Sequence, residues 1–267
     1  MLRLAIEARA KGGSLLLNVG PRPYGELPIE QEERLREMAA WYFVNRECMD
    51  SVHSWVVSRE KNTWFTARQS HTLYAIITDT ENWKEGERKS FVLHSVKSNP
   101  GSRISVLGQN SRIIEYKNDD VSCHFRQNGE ALEISVVRAQ RIYDDHRWPN
   151  PIVVKLENID PAFPEAVQVK TGSGRAAGEG VILTGKVMDN KKGAAVKGCF
   201  YYRPYAGQVE TLYAEEWKRT PWVKIDPAGN FSLLTRALKS NRQYEYSAAA
   251  EYYQVEINGD NKIFRQN

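Results

Sequence analysis

The sequence predicts a mainly β chain with a short helical front and two antiparallel sandwiches behind it. Three observations carry this expectation. Leu15, Leu16, Leu17 and Val19 form an apolar run closed off by Gly12-Gly13 and Gly20-Pro21. From Thr63 onward apolar and polar residues alternate between turn signals such as Asn128-Gly129, and a second alternating stretch follows Asp160–Pro164. Period-two alternation places successive side chains on opposite faces of a strand, so such stretches read as half-buried sheet.

The front reads as helix, buried strand, helix. Residues 2–10 carry Leu2, Leu4, Ala5, Ile6 and Ala8 in a helical pattern. Residues 29–45 place Leu35, Met38, Ala39 and Tyr42 at helical spacing, with Glu30, Glu32 and Glu33 near the positive end of the dipole. A continuous apolar run between helices is the pattern of a strand covered on both faces in a parallel sheet. Parallel neighbours need crossovers of about a dozen residues or more, and none is available in front of residue 15. The expectation is therefore the last β/α unit of a larger α/β domain, with Met1 inside a helix. In this chain alone, Leu15 to Val19 should lack a full set of parallel partners, with apolar helix faces left open.

The same residues resemble a family pattern. Gly12-Gly13-Ser14-Leu15-Leu16-Leu17-Asn18-Val19-Gly20-Pro21, with Gly25, Pro28, Trp41 and Val44-Asn45-Arg46-Glu47, is similar to the end of the catalytic barrel in glycoside hydrolase family 29, the α-L-fucosidases. Ser14 stands where that pattern usually has Asn, and Tyr24 replaces the usual turn Asp. The likeness continues through Trp64-Phe65-Thr66, Leu73-Tyr74-Ala75, Val106-Leu107-Gly108 and residues 138–151, which resemble the β-sandwich that follows the barrel. The resemblance implies one residual β/α unit of a TIM-type barrel over residues 1–55, then two antiparallel β-sandwich domains, at 56–159 and 160–267.

In the middle domain strands are expected at residues 63–66, 72–78, 90–93, 103–107, 112–116, 131–136 and 152–156. Asp160-Pro-Ala-Phe-Pro164 reads as a stiff linker, because proline fixes φ. Beyond it, strands are expected at 180–187, 198–203, 222–225, 230–234, 244–249 and 252–257, with Asn258-Gly259 turning a hairpin into 262–264. Residues 171–180, with Gly172, Gly174, Gly178 and Gly180, read as flexible. The segment from Leu238 to Tyr244 resembles the approach to the penultimate strand of fibronectin type III domains, although Ser240 and Arg242 replace the usual Pro and Thr. The likeness implies a tyrosine corner, with the Tyr244 hydroxyl bonded to upstream backbone.

Composition narrows the function classes. A net charge of +4 spread over 267 residues offers no dense Lys/Arg run for nucleic acid or an anionic membrane. No apolar run nears the ~20 residues of a membrane span. Cys48, Cys123 and Cys199 are odd in number and far apart, so neither a disulfide framework nor a metal spacing is expected.

Retaining glycoside hydrolysis requires two carboxyl groups ~5 to 5.5 Å apart, one nucleophile and one acid/base. The resemblance puts both on strands upstream of residue 12, so no residue of this chain is a catalytic candidate. The parent protein would be a fucosidase acting on terminal α-L-fucose of glycans without metal or organic cofactor, exported to the periplasm or outside the cell; the chain by itself would be catalytically incomplete. Asn18, Arg22 and Tyr24, after the last barrel strand, either line the rim of the sugar pocket or satisfy and solvate the turn. Asp144-Asp145-His146 reads either as a ligand cluster or as a turn before Trp148-Pro149. His53, His71, His94 and His124 are isolated. Trp217 and Trp222, with Tyr201, Tyr202, Tyr205 and Tyr213, serve either as a sandwich core or as a sugar platform. The competing function is a carbohydrate-binding or surface-attachment module without catalysis. Oligomeric state has no signature in the sequence.

Overall fold

The computed structural model describes residues 1–69, 71–84, 86–109, 120–138, 150–163, 165–190, 194–207, 215–238 and 242–264. They fall into two compact units, Met1–Pro164 and Glu165–Asn267. The expected strand at 112–116 and the Asp144-Asp145-His146 cluster lie outside the described residues.

In the first unit, helix α1 (Leu2–Ala10) ends where the amides of Gly12 and Gly13 donate to the carbonyls of Arg9 and Ala8. Helix α2 (Ile29–Asn45) begins after Pro28 with Glu30 and Glu32 in its first turn, where acidic side chains favour the dipole. Both helices have the expected bounds, but α2 buries a different face. Its buried residues are Trp41 and Asn45, while Ala39 and Tyr42 are exposed and Leu35 and Met38 only half-buried. The pattern permits either stripe, and the indole of Trp41 decides it by donating to the Pro151 carbonyl at 2.7 Å.

All the strands pair antiparallel. β1 (His53–Glu60), β2 (Thr63–Arg68), β3 (Thr72–Ile77), β8 (Ile152–Pro161) and β5 (Val96–Val106) form one sheet in that order. β4 (Arg88–Leu93), β7 (Ala131–Val137) and β6 (His124–Asn128) form the other. Trp64, Tyr74, Ile76 and Val153 alternate onto the helical side and bury Ile6, Ala10, Trp41 and Cys48. The expected strands recur at β2, β3, β4, β5, β7 and β8. β1 and β6 carry no expectation: β1 is irregular between Ser54 and Arg59, and β6 is an exposed edge with no buried face to impose alternation.

The second unit packs β9 (Gln168–Ala177), β10 (Gly180–Met188) and β14 (Asn230–Thr235) against a sheet ordered β12 (Lys218–Arg219), β11 (Ala195–Pro204), β15 (Tyr244–Tyr252) and β16 (Val255–Asn258). Short β13 (Val223–Lys224) joins β11, and β17 (Lys262–Phe264) joins β15. Val181, Leu183, Phe200, Phe231, Tyr246 and Ala248 are in its core. Tyr244 is buried at the start of β15, with Leu238 buried before it; Ser240 lies outside the described residues.

Four expectations are corrected. Leu15 to Val19 belong to no strand: residues 13–22 join no sheet and these side chains are exposed, Leu16 to 86%. An isolated run has no neighbouring backbone with which to form a ladder. The glycines of 171–180 are not flexible but lie in β9, its turn and β10, where the chains approach closely. A Cβ on Gly172 would stand 2.1 Å from Thr184 Oγ1 and 2.7 Å from its carbonyl oxygen. Asp160 and Pro161 extend β8 by pairing with Lys97 and Val96, and Phe163 beyond them is buried. Asn258-Gly259 does not close a hairpin onto β17, since β16 and β17 both pair with β15. The tight turn is Tyr253-Gln254, both in the left-handed region with φ of 46° and 63°. The pairing of Tyr252 with Val255 therefore divides the expected 252–257 strand.

The cysteines are free. Burial pushes the Cys199 thiol up to about 12 and raises those of Cys48 and Cys123, but Cys48 and Cys199 are buried whereas Cys123 is only half-buried. Because the thiolate is the nucleophile, Cys123 is expected to react first with iodoacetamide in the native state, as read by mass spectrometry. Prior labelling of Cys199 would contradict this packing.

Candidate functional site

The front of the chain presents one exposed segment, residues 11–26, held at its ends. The Gly20 amide donates to Gln31 Oε1 at 2.9 Å, tying the segment to α2. Arg22 N donates to the Glu26 carbonyl at 2.7 Å and Gly25 N to the Arg22 carbonyl at 2.8 Å, closing a tight turn. Asn18, Arg22 and Tyr24 all lie on this segment and all are exposed, Tyr24 to 93%. Among the described residues no hydrogen bond joins their side chains, and none of the three lines the hollow formed by the neighbouring residues 13–17 and α2.

The cavity lies beside them. A hollow of 1010 Å³ opens between α1, residues 13–17, α2 and the loop into β1. Leu15, Leu17, Met38 and Phe43 give it an apolar side. On the polar side, Arg46 Nε donates to Asp50 Oδ2 at 2.8 Å, and the Tyr42 hydroxyl donates to the other Asp50 oxygen. The Tyr42 hydroxyl, and then Arg46, hold the Asp50 carboxyl below its ordinary value. Arg68 donates to the Asp50 carbonyl at 2.7 Å, and Arg9 to that of Met49 at 2.7 Å. Glu47 accepts from the Tyr74 hydroxyl and from Lys155, each at 3.0 Å. Burial, then the Glu47 charge, raises Tyr74 above the usual phenol range.

These groups brace the turn after α2: cations and phenols engage both carboxylates, and guanidinium groups cap carbonyls that the helix end leaves unpaired. Sequence reasoning passed over this cluster. Tyr42, Arg46 and Asp50 at successive four-residue steps were a readable signal, whereas Arg9 and Arg68 reach backbone that no local pattern identifies.

Asp120, Ser122 and His124 also come together, at β6. His124 Nε2 stands 3.3 Å from Ser122 Oγ and 3.4 Å from Asp120 Oδ2. Nucleophilic catalysis needs the hydroxyl to give its proton to a base. Here Ser122 donates to Asp120 instead, so the cluster is a turn, and Arg88 clamps its carbonyls. The Ser122 hydroxyl and amide, then His124, hold Asp120 down to about 2. A carboxyl lowered in the folded state stabilises above its unfolded value and loses that contribution as pH falls through the folded one. Asp120→Asn should therefore lower the urea midpoint at neutral pH, with the difference closing as pH falls from 3.8 to about 2. A difference undiminished at the acid end would refute the assignment.

His71 pairs with Asp160 at 2.7 Å on the surface, and His94 donates its backbone amide to Glu60. His53 is exposed on β1. In the second unit, Trp217 lies under the Arg203 guanidinium at 4.5 Å, and Trp222 under Arg219 at 5.0 Å and Lys197 at 5.4 Å. Arg203 is itself paired with Glu245 at 2.7 Å. Cations stack on both indoles, which disfavours their use as an open platform for sugar rings.

Among the described residues no group of three or more His, Cys, Asp or Glu could hold a metal ion, and no helix is long and apolar enough to cross a membrane.

Residues 1–47 match the family model described as Alpha-L-fucosidase. Alpha-L-fucosidase of Branchiostoma floridae is 31% identical over 111 residues, 40% of this chain and 23% of that protein. Plasma alpha-L-fucosidase of Homo sapiens is 35% identical over 80 residues, 28% of this chain and 17% of that protein. The chain thus spans less than a quarter of the length of these two relatives. Among solved structures, alpha-L-fucosidase from Vibrio sp. strain EJY3 aligns over 99% of this chain and 44% of its own, at 13% identity and a TM-score of 0.46. Alpha-L-fucosidase isoenzyme 1 from Paenibacillus thiaminolyticus covers 58% of this chain and 33% of its own, at 19% identity and a TM-score of 0.40. The segment bearing Asn18, Arg22 and Tyr24 therefore lies in the part of the chain that is similar to the alpha-L-fucosidases.

Proposed function

We propose that this chain is the carboxy-terminal part of a retaining alpha-L-fucosidase that removes terminal α-L-fucose from glycans outside the cytoplasm. The observation carrying this reading is the uncharged run at residues 14–19. It lies inside the matched residues, and among the described residues no hydrogen bond ties its backbone. An apolar run with free donors and acceptors is suited to lie between strands of a parallel sheet. Residues 1–55 would be the last β/α unit of the barrel, residues 56–159 with the end of β8 the sandwich bracing it, and the residues from Glu165 onward a further sandwich.

The last sandwich is fibronectin type III-like in this reading. A three-stranded sheet, β14-β10-β9, facing a sheet built on β12-β11-β15-β16 supports the assignment.

In a retaining mechanism one carboxylate attacks the anomeric carbon while the partner acid protonates the leaving oxygen; water then releases the sugar with the roles of the second group reversed. Both carboxyl groups would come from barrel strands upstream of Gly12. Asn18 and Arg22 would offer donors to sugar hydroxyls and Tyr24 a ring to the sugar's apolar face, all from the rim.

The test has two arms. The purified 267-residue chain should release no aryl alcohol from an aryl α-L-fucoside above the buffer rate; turnover would overturn its incompleteness. The coding region immediately upstream should encode, in frame, a barrel with paired carboxylates; a stop codon there would overturn the assignment. In the full-length enzyme, Arg22→Ala should raise KM roughly tenfold with kcat little changed, the loss of one charge-assisted hydrogen bond. An unchanged KM would remove Arg22 from the rim. Retention of residues 56–267 on a fucosylated glycan array would favour a binding module instead.

A further inference from the structure

We draw no further inference here: the strongest candidate, the exposed leucine run at residues 15–19 with the hollow it shares with α1 and α2, belongs to the site already described, and nothing in the structure shows what covers it.

Discussion

Trp41→Ala should destabilise the first unit by about 3–5 kcal/mol, the range for emptying a buried aromatic site. Trp41 is 1% exposed and sits against Ile6, Trp64, Tyr74 and Val153, where α1, α2 and the larger sheet meet. Its indole also satisfies the Pro151 carbonyl, which the substitution would leave buried without a donor. Trp41→Phe separates the two contributions, since it restores most of the apolar area without the donor and should cost about 1–2 kcal/mol. Phe43 is the internal control. It lies two residues along the same helix, 85% exposed, and Phe43→Ala should change stability by less than about 0.5 kcal/mol. Urea denaturation reads all three, and amide exchange across residues 29–45 shows whether α2 is what comes loose. A cost below about 1 kcal/mol for Trp41→Ala would mean that α2 is not held by its indole.

The contrast between these aromatic neighbours marks what the sequence discloses. Helical spacing and flanking Gly12-Gly13 and Pro28 are local, and they place both helices at their observed bounds. Which stripe of α2 packs is not local, because it depends on a carbonyl 110 residues away. Leu15 to Val19 carry a pattern that needs neighbours before it becomes a strand, so composition alone marks them as buried while the fold leaves them exposed. The candidate site is legible to the same degree. The motif puts Asn18, Arg22 and Tyr24 on one exposed segment, but a rim exists only with the surface it borders. Glycine misleads in the opposite direction: Gly172 reads as flexible because its sequence cannot show that Thr184 stands where a side chain would go.

Gly229 takes that last lesson furthest, and Gly229→Ala should cost the second unit about 2–4 kcal/mol through two independent penalties. The first is conformational: Gly229 has φ of +86°, in the region a Cβ disfavours. The second is steric: a Cβ there would lie 2.2 Å from the Val187 carbonyl oxygen, and backbone on the adjoining strand cannot rotate aside as a side chain can. Moving Gly229 away would stretch the bond from the Val187 amide to the Gly229 carbonyl, now 2.8 Å, at the point where β10 and β14 begin to pair. It would also disturb the turn in which Asp226 Oδ1 accepts the Asn230 amide at 2.7 Å. Gly207→Ala separates the penalties, because it has a similar φ of +82° but, among the described residues, no neighbour within 4 Å of the added atom. It should lose only the conformational part, about 1 kcal/mol. Equal urea midpoints for the two variants would show that β10 yields to the methyl group, and that the approach of Val187 to the turn does not constrain the second unit.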